Sequence, residues 1–339
     1  MRRSLLPVVA LLVASLNSAA ADEPKPLKVG IIGLDTSHVT AFTSVLNNPK
    51  ARPELAGARV VAAYPGGSAD VEASRTRVKG FTDTLKDKYG VEIVDSIDAL
   101  LPKVDVVLLE SVDGRPHLEQ VKPVLKAGKP VFIDKPVAGS LADAIQIYDL
   151  AKQHKVPVFS SSSLRFAAEV QAMKKSDKVG KLLGCETYAP CSLEPHHPDL
   201  FWYGVHGVEV LYALMGTGCE SVSRVQTKET DVVTGVWKDG RVATFRGLRG
   251  GKLDYGMLVF GSKGIEAQKI NAGYEPLLVE IVKFFRGGPP PVSAEETIEL
   301  FAFMEAADES KRRGGAPVKL ADVIAKARAE KKSATKNGR

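Results

Sequence analysis

Between residues 27 and 160 the sequence alternates short, unbroken apolar runs with longer stretches of helical period, and few folds accommodate that rhythm. The runs at 28–33, 59–63, 104–109, 130–133 and 156–160 lack polar alternation, as strands do when both faces are buried. The stretches between them, to about 47 and near 70–89, 95–101, 116–127 and 140–154, have the length of helical crossovers. Such crossovers make neighbouring strands parallel, so a doubly wound parallel sheet of the α/β class is expected.

After residue 163 the pattern changes. A helix near 167–175 leads to a strand at 181–188, a polar stretch at 194–199 and an apolar helix over 201–215. Strands at 221–228, 231–238, 241–248, 253–260 and 264–270 follow, punctuated by the turn signals Lys238-Asp239-Gly240 and Gly261-Ser262-Lys263. Helices near 275–286 and 293–313 complete it. Residues 161–320 therefore read as an α+β domain with a mostly antiparallel sheet, after a dinucleotide-binding (Rossmann) domain at 27–160.

The two ends differ from the rest. Arg2-Arg3, an apolar stretch from Leu5 to Leu16 and Ala19-Ala20-Ala21 read as an export signal peptide over 1–21, by a secretory or twin-arginine route to an extracytoplasmic, for example periplasmic, location. The apolar stretch is shorter than the roughly 20 residues needed to span a bilayer, so no membrane span is expected after cleavage. Residues 321–339 form a basic tail, and 326–339, with no evident apolar period, are expected to fray. The formal charge of +6 belongs to these ends, because the residues between 22 and 325 hold 38 bases and 39 acids. That balance does not support a nucleic-acid footprint on the folded body. Cys185, Cys191 and Cys219 show no metal-ligand spacing and read as small buried residues, with one bridge possible.

The first strand runs into Gly33-Leu34-Asp35-Thr36-Ser37-His38, where the fingerprint G-x-G-x-x-G belongs. Gly33 permits the tight turn, but Asp35 and His38 replace the second and third glycines. A carboxylate ~4 Å from a phosphate costs about 4 kcal/mol at an effective dielectric near 20. The alternative is that Asp35, Thr36 or Ser37 simply caps the next helix. The second strand leads to Ala62-Ala63-Tyr64-Pro65-Gly66-Gly67-Ser68 without an acid for the adenosine ribose, which leaves NADP open through Ser68, Arg75 or Arg77.

Further blocks follow in order: Leu109-Glu110 through Arg115-Pro116-His117, Gly128-Lys129-Pro130 through Asp134-Lys135-Pro136, Arg165-Phe166, Phe201-Trp202-Tyr203-Gly204-Val205-His206 through Glu209, and Phe284 through Val318. With the glycine turn they resemble the Gfo/Idh/MocA family, named for glucose–fructose oxidoreductase, inositol dehydrogenase and a rhizopine catabolism protein. The resemblance covers about residues 27–320. It implies NAD or NADP, tightly bound, on the first domain and a sugar or cyclitol against an open-faced sheet in the second.

By that resemblance Lys135 donates to the reacting hydroxyl, where a cation steadies developing alkoxide charge. His206 takes the hydroxyl proton, a task suited to an imidazole. The family's aspartate four residues earlier is Trp202 here, so Glu209, one turn on, is expected to orient the ring. Cofactor contacts are expected at Gly33, Asp35, Thr36, Ser37, His38, Glu110, Asp134 and Lys135. Substrate contacts are expected at His117, Arg165, His196, His197, Trp202 and Tyr203, with Trp202 either stacking on a sugar or packing in the core. Glu194, His196, His197 and Asp199 are metal-ligand types, but adjacent histidines without spaced partners favour a polar substrate loop, and no metal is expected.

These residues point to an NAD(P)-dependent oxidoreductase moving hydride from a sugar, polyol or glycoside, and to a homo-oligomer through the open sheet. The alternative is an exported, non-catalytic carbohydrate-binding protein with a degraded cofactor site, which Asp35, His38 and Trp202 favour. Lys135 and His206 favour the enzyme.

Overall fold

The computed structural model describes residues 26–271 and 273–337, with side chains to residue 330; the export signal expected over 1–21 lies outside the described residues. The first sheet has six parallel strands: β1 (Leu27–Ile32), β2 (Ala58–Tyr64), β3 (Glu92–Ile93), β4 (Val106–Leu109), β5 (Val131–Ile133) and β6 (Val158–Ser160). Their order is β3-β2-β1-β4-β5-β6. The order reverses between β1 and β4, and ligands of doubly wound sheets gather there, beyond the carboxyl ends of the strands. Every residue of β4, β5 and β6 is buried, which explains their unbroken apolar sequence. The edge strand β3 escapes the sequence pattern because two residues show no period.

Helices α1 (Ser37–Leu46), α2 (Glu72–Arg75), α3 (Val78–Tyr89), α4 (Ile97–Leu100), α5 (His117–Lys126) and α6 (Leu141–His154) make the crossovers. The single helix expected over 70–89 is parted at Thr76 and Arg77. Local chemistry sets the ends of α6: the Ser140 hydroxyl accepts the Asp143 amide, and Lys155 adopts φ 56° after it. Gly33 has φ +87°, and a Cβ there would lie 2.3 Å from Ser111 Oγ, so the turn after β1 admits only glycine.

Helices α7 (Ala168–Met173), α8 (Asp199–Trp202) and α9 (Val205–Met215) accompany a second sheet. The helix expected over 201–215 is broken at Tyr203 and Gly204. Strands β7 (Leu182–Pro190), β8 (Cys219–Gln226), β9 (Thr230–Trp237), β10 (Val242–Leu248), β11 (Gly256–Gly261), β12 (Ile265–Lys269) and β13 (Val318–Lys319) lie in the order β12-β11-β7-β10-β9-β8-β13. All pairs are antiparallel except β7 with β10. Alternate residues are buried under α9 and under α11 (Ala294–Arg312, after α10, Glu275–Phe285). Leu183, Val225, Val236, Val242, Phe260 and Ile265 remain exposed on these strands.

Helix α10 returns to the first sheet. Leu277, Leu278, Ile281 and Phe284 share a core with Val29, Ile31, Phe132 and Phe159. Of the end expected to fray at 326–339, residues 326–337 are instead part of α12 (Leu320–Asn337), with Leu320, Val323 and Ala327 buried near α6 and α11. Their spacing of three and four is an apolar helical period, which small alanines among the lysines conceal. The three cysteines are buried free thiols. Among the described residues no helix is long and apolar enough to cross a membrane.

Candidate active site

A cleft of about 340 Å³ lies where the carboxyl ends of the parallel strands face α9. Thr36, Ser37, His38, Arg77, Val112 and Lys135 line it, together with Ser163, Trp202, Tyr203, His206, Tyr255 and Tyr274. No aspartate or glutamate is among its lining residues, and Arg77 and Lys135 are its cationic lining side chains.

Lys135 and His206 meet here. Lys135 follows β5, is 8% exposed and presents Nζ 5.8 Å from the centre of the Tyr203 ring. The same ring stands 4.9 Å from that of His206, edge to face. His206 Nδ1 is 2.7 Å from Ser162 Oγ. Burial, then the charge of Lys135, pushes the His206 pKa well below its ordinary value, so the ring is neutral at pH 7. Ser162 comes from the run Ser160 to Ser163 at the end of β6, and its hydroxyl also accepts the Leu164 amide at 3.3 Å.

Glu209, expected to orient His206, does not reach it. Its carboxylate accepts Arg165 Nε at 2.5 Å and Ser161 Oγ at 3.4 Å. One turn of helix brings neighbouring side chains together only when neither has a stronger partner, and here the buried guanidinium takes Glu209. Arg165 also donates to Glu296 at 2.6 Å, which makes it a buried link between β6, α9 and α11 rather than a substrate contact. His117 is likewise withdrawn. Its ring nitrogens lie 2.9 Å from the Ser111 carbonyl and 3.2 Å from that of Val137, and burial pushes its pKa down.

The two histidines of the 194–199 stretch diverge. His196 Nδ1 pairs with Glu194 at 2.6 Å on the surface. His197 Nε2 lies 3.0 Å from Asp113 Oδ1, and its ring packs 5.0 Å from Trp202. Asp199 faces Arg224 and Lys311 instead. Neither histidine lines the cleft, whereas Trp202 and Tyr203 do. Among the described residues no group of three or more His, Cys, Asp or Glu could hold a metal ion.

The glycine turn resolves differently from its sequence. Asp35 is fully buried: Oδ2 accepts Ser74 Oγ at 2.6 Å and Oδ1 accepts the Val112 amide at 2.8 Å. Burial raises its pKa, with those bonds opposing. It therefore ties the chain after β2 to the loop after β4 and neither caps α1 nor faces a diphosphate; the cap is Thr36, whose hydroxyl accepts the His38 amide. The amides of Thr36 and Ser37 have no partner among the described residues, as expected at a helix start, and Arg77 lines the same cleft. This end suits a diphosphate. At the other end Ser68 Oγ donates to Asp113 at 2.6 Å, joining the loops after β2 and β4. Glu110 is buried beneath, with neither oxygen partnered, and is pushed well above its ordinary pKa by burial and by Asp134 and Asp35. It does not line the cleft. Asp35→Ala would strand Ser74 and the Val112 amide and is expected to cost about 2 kcal/mol, read from the urea unfolding midpoint.

Sequence reading missed Ser162, Tyr255 and Tyr274. The four consecutive serines after an apolar strand were a usable signal for the first. Tyr255, whose hydroxyl lies 3.3 Å from that of Tyr203, and Tyr274, just before α10, come from distant elements and had none.

Residues 27–162 match the family GFO_IDH_MocA, described as an oxidoreductase family with an NAD-binding Rossmann fold. Inositol 2-dehydrogenase 3 of Saccharopolyspora erythraea is 25% identical over 255 residues, 71% of this chain and 69% of its own length. The Salmonella typhimurium protein YceM is 27% identical over 172 residues, 51% of this chain, and the chain spans about half (50%) of that relative. The solved structure of scyllo-inositol dehydrogenase from Lactobacillus casei, with bound NAD(H) and scyllo-inositol, superposes with a TM-score of 0.72 at 17% identity, covering 88% of this chain and 100% of that one. At that identity the likeness is one of fold.

Proposed function

We propose that this chain, whose residues 27–162 match the Gfo/Idh/MocA oxidoreductase family, is an NAD(P)-dependent oxidoreductase acting on a sugar or polyol. The observation that carries this reading is the convergence of Lys135, after β5, and His206, on α9, on one cleft and against a shared Tyr203 ring. The names of the inositol-oxidising relatives support the substrate class.

The Thr36 and Ser37 amides and the Arg77 guanidinium would hold the dinucleotide's phosphates, and the bound cofactor supplies the hydride acceptor. The chain's own residues handle the alcohol. Lys135 donates to the hydroxyl oxygen and steadies negative charge as it develops. His206, with Nδ1–H donating to Ser162 Oγ, offers Nε2 to the hydroxyl proton. Trp202, Tyr203 and Tyr255 give the apolar face of a ring a surface to lie on. Ser162→Ala frees the imidazole to rotate and is expected to lower kcat about tenfold while leaving a residual base in place. Steady-state rates of the purified variant measure it.

Cyclitols, aldoses and polyols offered with NAD+ or NADP+, and followed by reduced-nicotinamide absorbance, test the function and its coenzyme choice. Absence of any such signal, together with no NADH fluorescence change on titration, favours the second reading: a carbohydrate-binding protein without turnover. The bond from Ser68 to Asp113 across the adenosine end is the contact in its favour. The exposed row Leu183, Val225, Val236, Val242, Phe260 and Ile265 completes the proposal as a homo-oligomer through that sheet face, which sedimentation of the intact chain reads directly.

A further inference from the structure

His38 occupies the third-glycine position, and its side chain turns toward the cleft. Nδ1 lies 2.5 Å from Asp134 Oδ2, with the two side chains 9% and 3% exposed. The ring is stacked 5.4 Å from Phe42 at 13°, and meets Tyr274 edge-on at 4.8 Å. Asp134 is fixed in turn, because Oδ1 accepts the Lys135 amide at 2.8 Å. Burial opposes ionisation of Asp134, but the His38 ring and Lys135 hold its pKa below the ordinary value, so it is a carboxylate. A carboxylate only accepts, so Nδ1 carries a proton, and in the neutral imidazole Nε2 then holds a lone pair. Nε2 has no hydrogen-bond partner among the described residues. An imidazole held through one nitrogen by a buried carboxylate, with the other nitrogen free beside a cleft, is the arrangement in which histidine transfers protons. The arrangement is separate from His206, which is held by Ser162.

We propose that His38, oriented by Asp134, is a second proton acceptor of this cleft, removing hydrogen from the carbon beside a carbonyl that Lys135 holds. The chain then enolises a keto-sugar or keto-cyclitol in addition to oxidising the alcohol. In this step the C–H bond breaks and the proton passes to His38 Nε2. The electron pair forms the enolate double bond, and the negative charge collects on the oxygen facing the Lys135 ammonium. Returning the proton regenerates the ketone, so no oxidant, reductant or co-reactant is consumed. The inference rests on the reading above for the place of the carbonyl at Lys135.

The test incubates the intact chain with an inosose in deuterated buffer. Deuterium at the carbon beside the carbonyl is followed by NMR, while hydride transfer from reduced nicotinamide is followed by absorbance in the same sample. Wild-type protein is expected to exchange that hydrogen at least tenfold faster than His38→Gln and Asp134→Asn, with thermal unfolding of both variants confirming the fold. Exchange must also fall more steeply than hydride transfer in His38→Gln. Equal exchange in wild type and His38→Gln, or none in wild type, overturns the proposal. If hydride transfer is intact in that case, the oxidoreductase reading stands and only the role of His38 fails; if hydride transfer is absent too, both fail.

Discussion

Lys135→Met is expected to lower kcat about a thousandfold, at the upper end of what one donor to a developing oxyanion supplies. The effect should fall on kcat more than on KM, because the ammonium interacts most strongly with the charged oxygen of the transition state. Methionine retains the stem that lies against Tyr203. Lys135 Nζ forms no salt bridge among the described residues, so the fold should survive the change. Thermal unfolding checks the second point and steady-state kinetics the first. Rates within tenfold of wild type would remove Lys135 from the chemistry.

His206→Asn is expected to reduce kcat by about a thousandfold, within the range for loss of a positioned general base. The pH profile makes a sharper test. Burial and the charge of Lys135 push the His206 pKa well below 6.5, so the ring stays neutral and competent through mildly acidic pH. The acid limb of kcat/KM should therefore lie well below pH 6.5. In Lys135→Met, which removes that charge, the limb should move upward toward the ordinary histidine value. The linked stability runs the same way. With the folded pKa below the unfolded one, the unfolded chain binds the proton first. The contribution is fully present above about pH 6.5 and declines as the pH falls below it. An acid limb that does not shift in Lys135→Met would separate the two groups in space.

Unbroken apolar runs identified β1, β2, β4, β5 and β6, because strands buried on both faces leave little room for polar residues. Two-residue edge strands such as β3 and β13 leave no pattern. Turn chemistry located the antiparallel strands from β8 to β12 within a few residues. The cleft was legible where a motif names its own residues, as in Asp134-Lys135-Pro136 and the helix bearing His206. It was not legible where partners are chosen across the fold. Helical spacing paired Glu209 with His206, but a guanidinium 44 residues earlier in the chain claimed the carboxylate. Asp35 looked hostile to a diphosphate because a sequence shows its charge and not its direction, and burial against Ser74 and Val112 turns that charge inward. His117 and His197 follow the same lesson: a histidine in a site loop serves the loop when backbone carbonyls or a carboxylate lie closer than the ligand.

A single-turnover experiment bears on the central claim most directly. Intact chain saturated with NAD+ or NADP+ is mixed with a panel of cyclitols and sugars, and reduced nicotinamide is recorded in wild type, Lys135→Met and His206→Asn. One turnover per site in wild type, slowed by about three orders of magnitude in each variant, is the predicted result. Reduction proceeding equally in all three, or no dinucleotide retained by wild type at all, would contradict it.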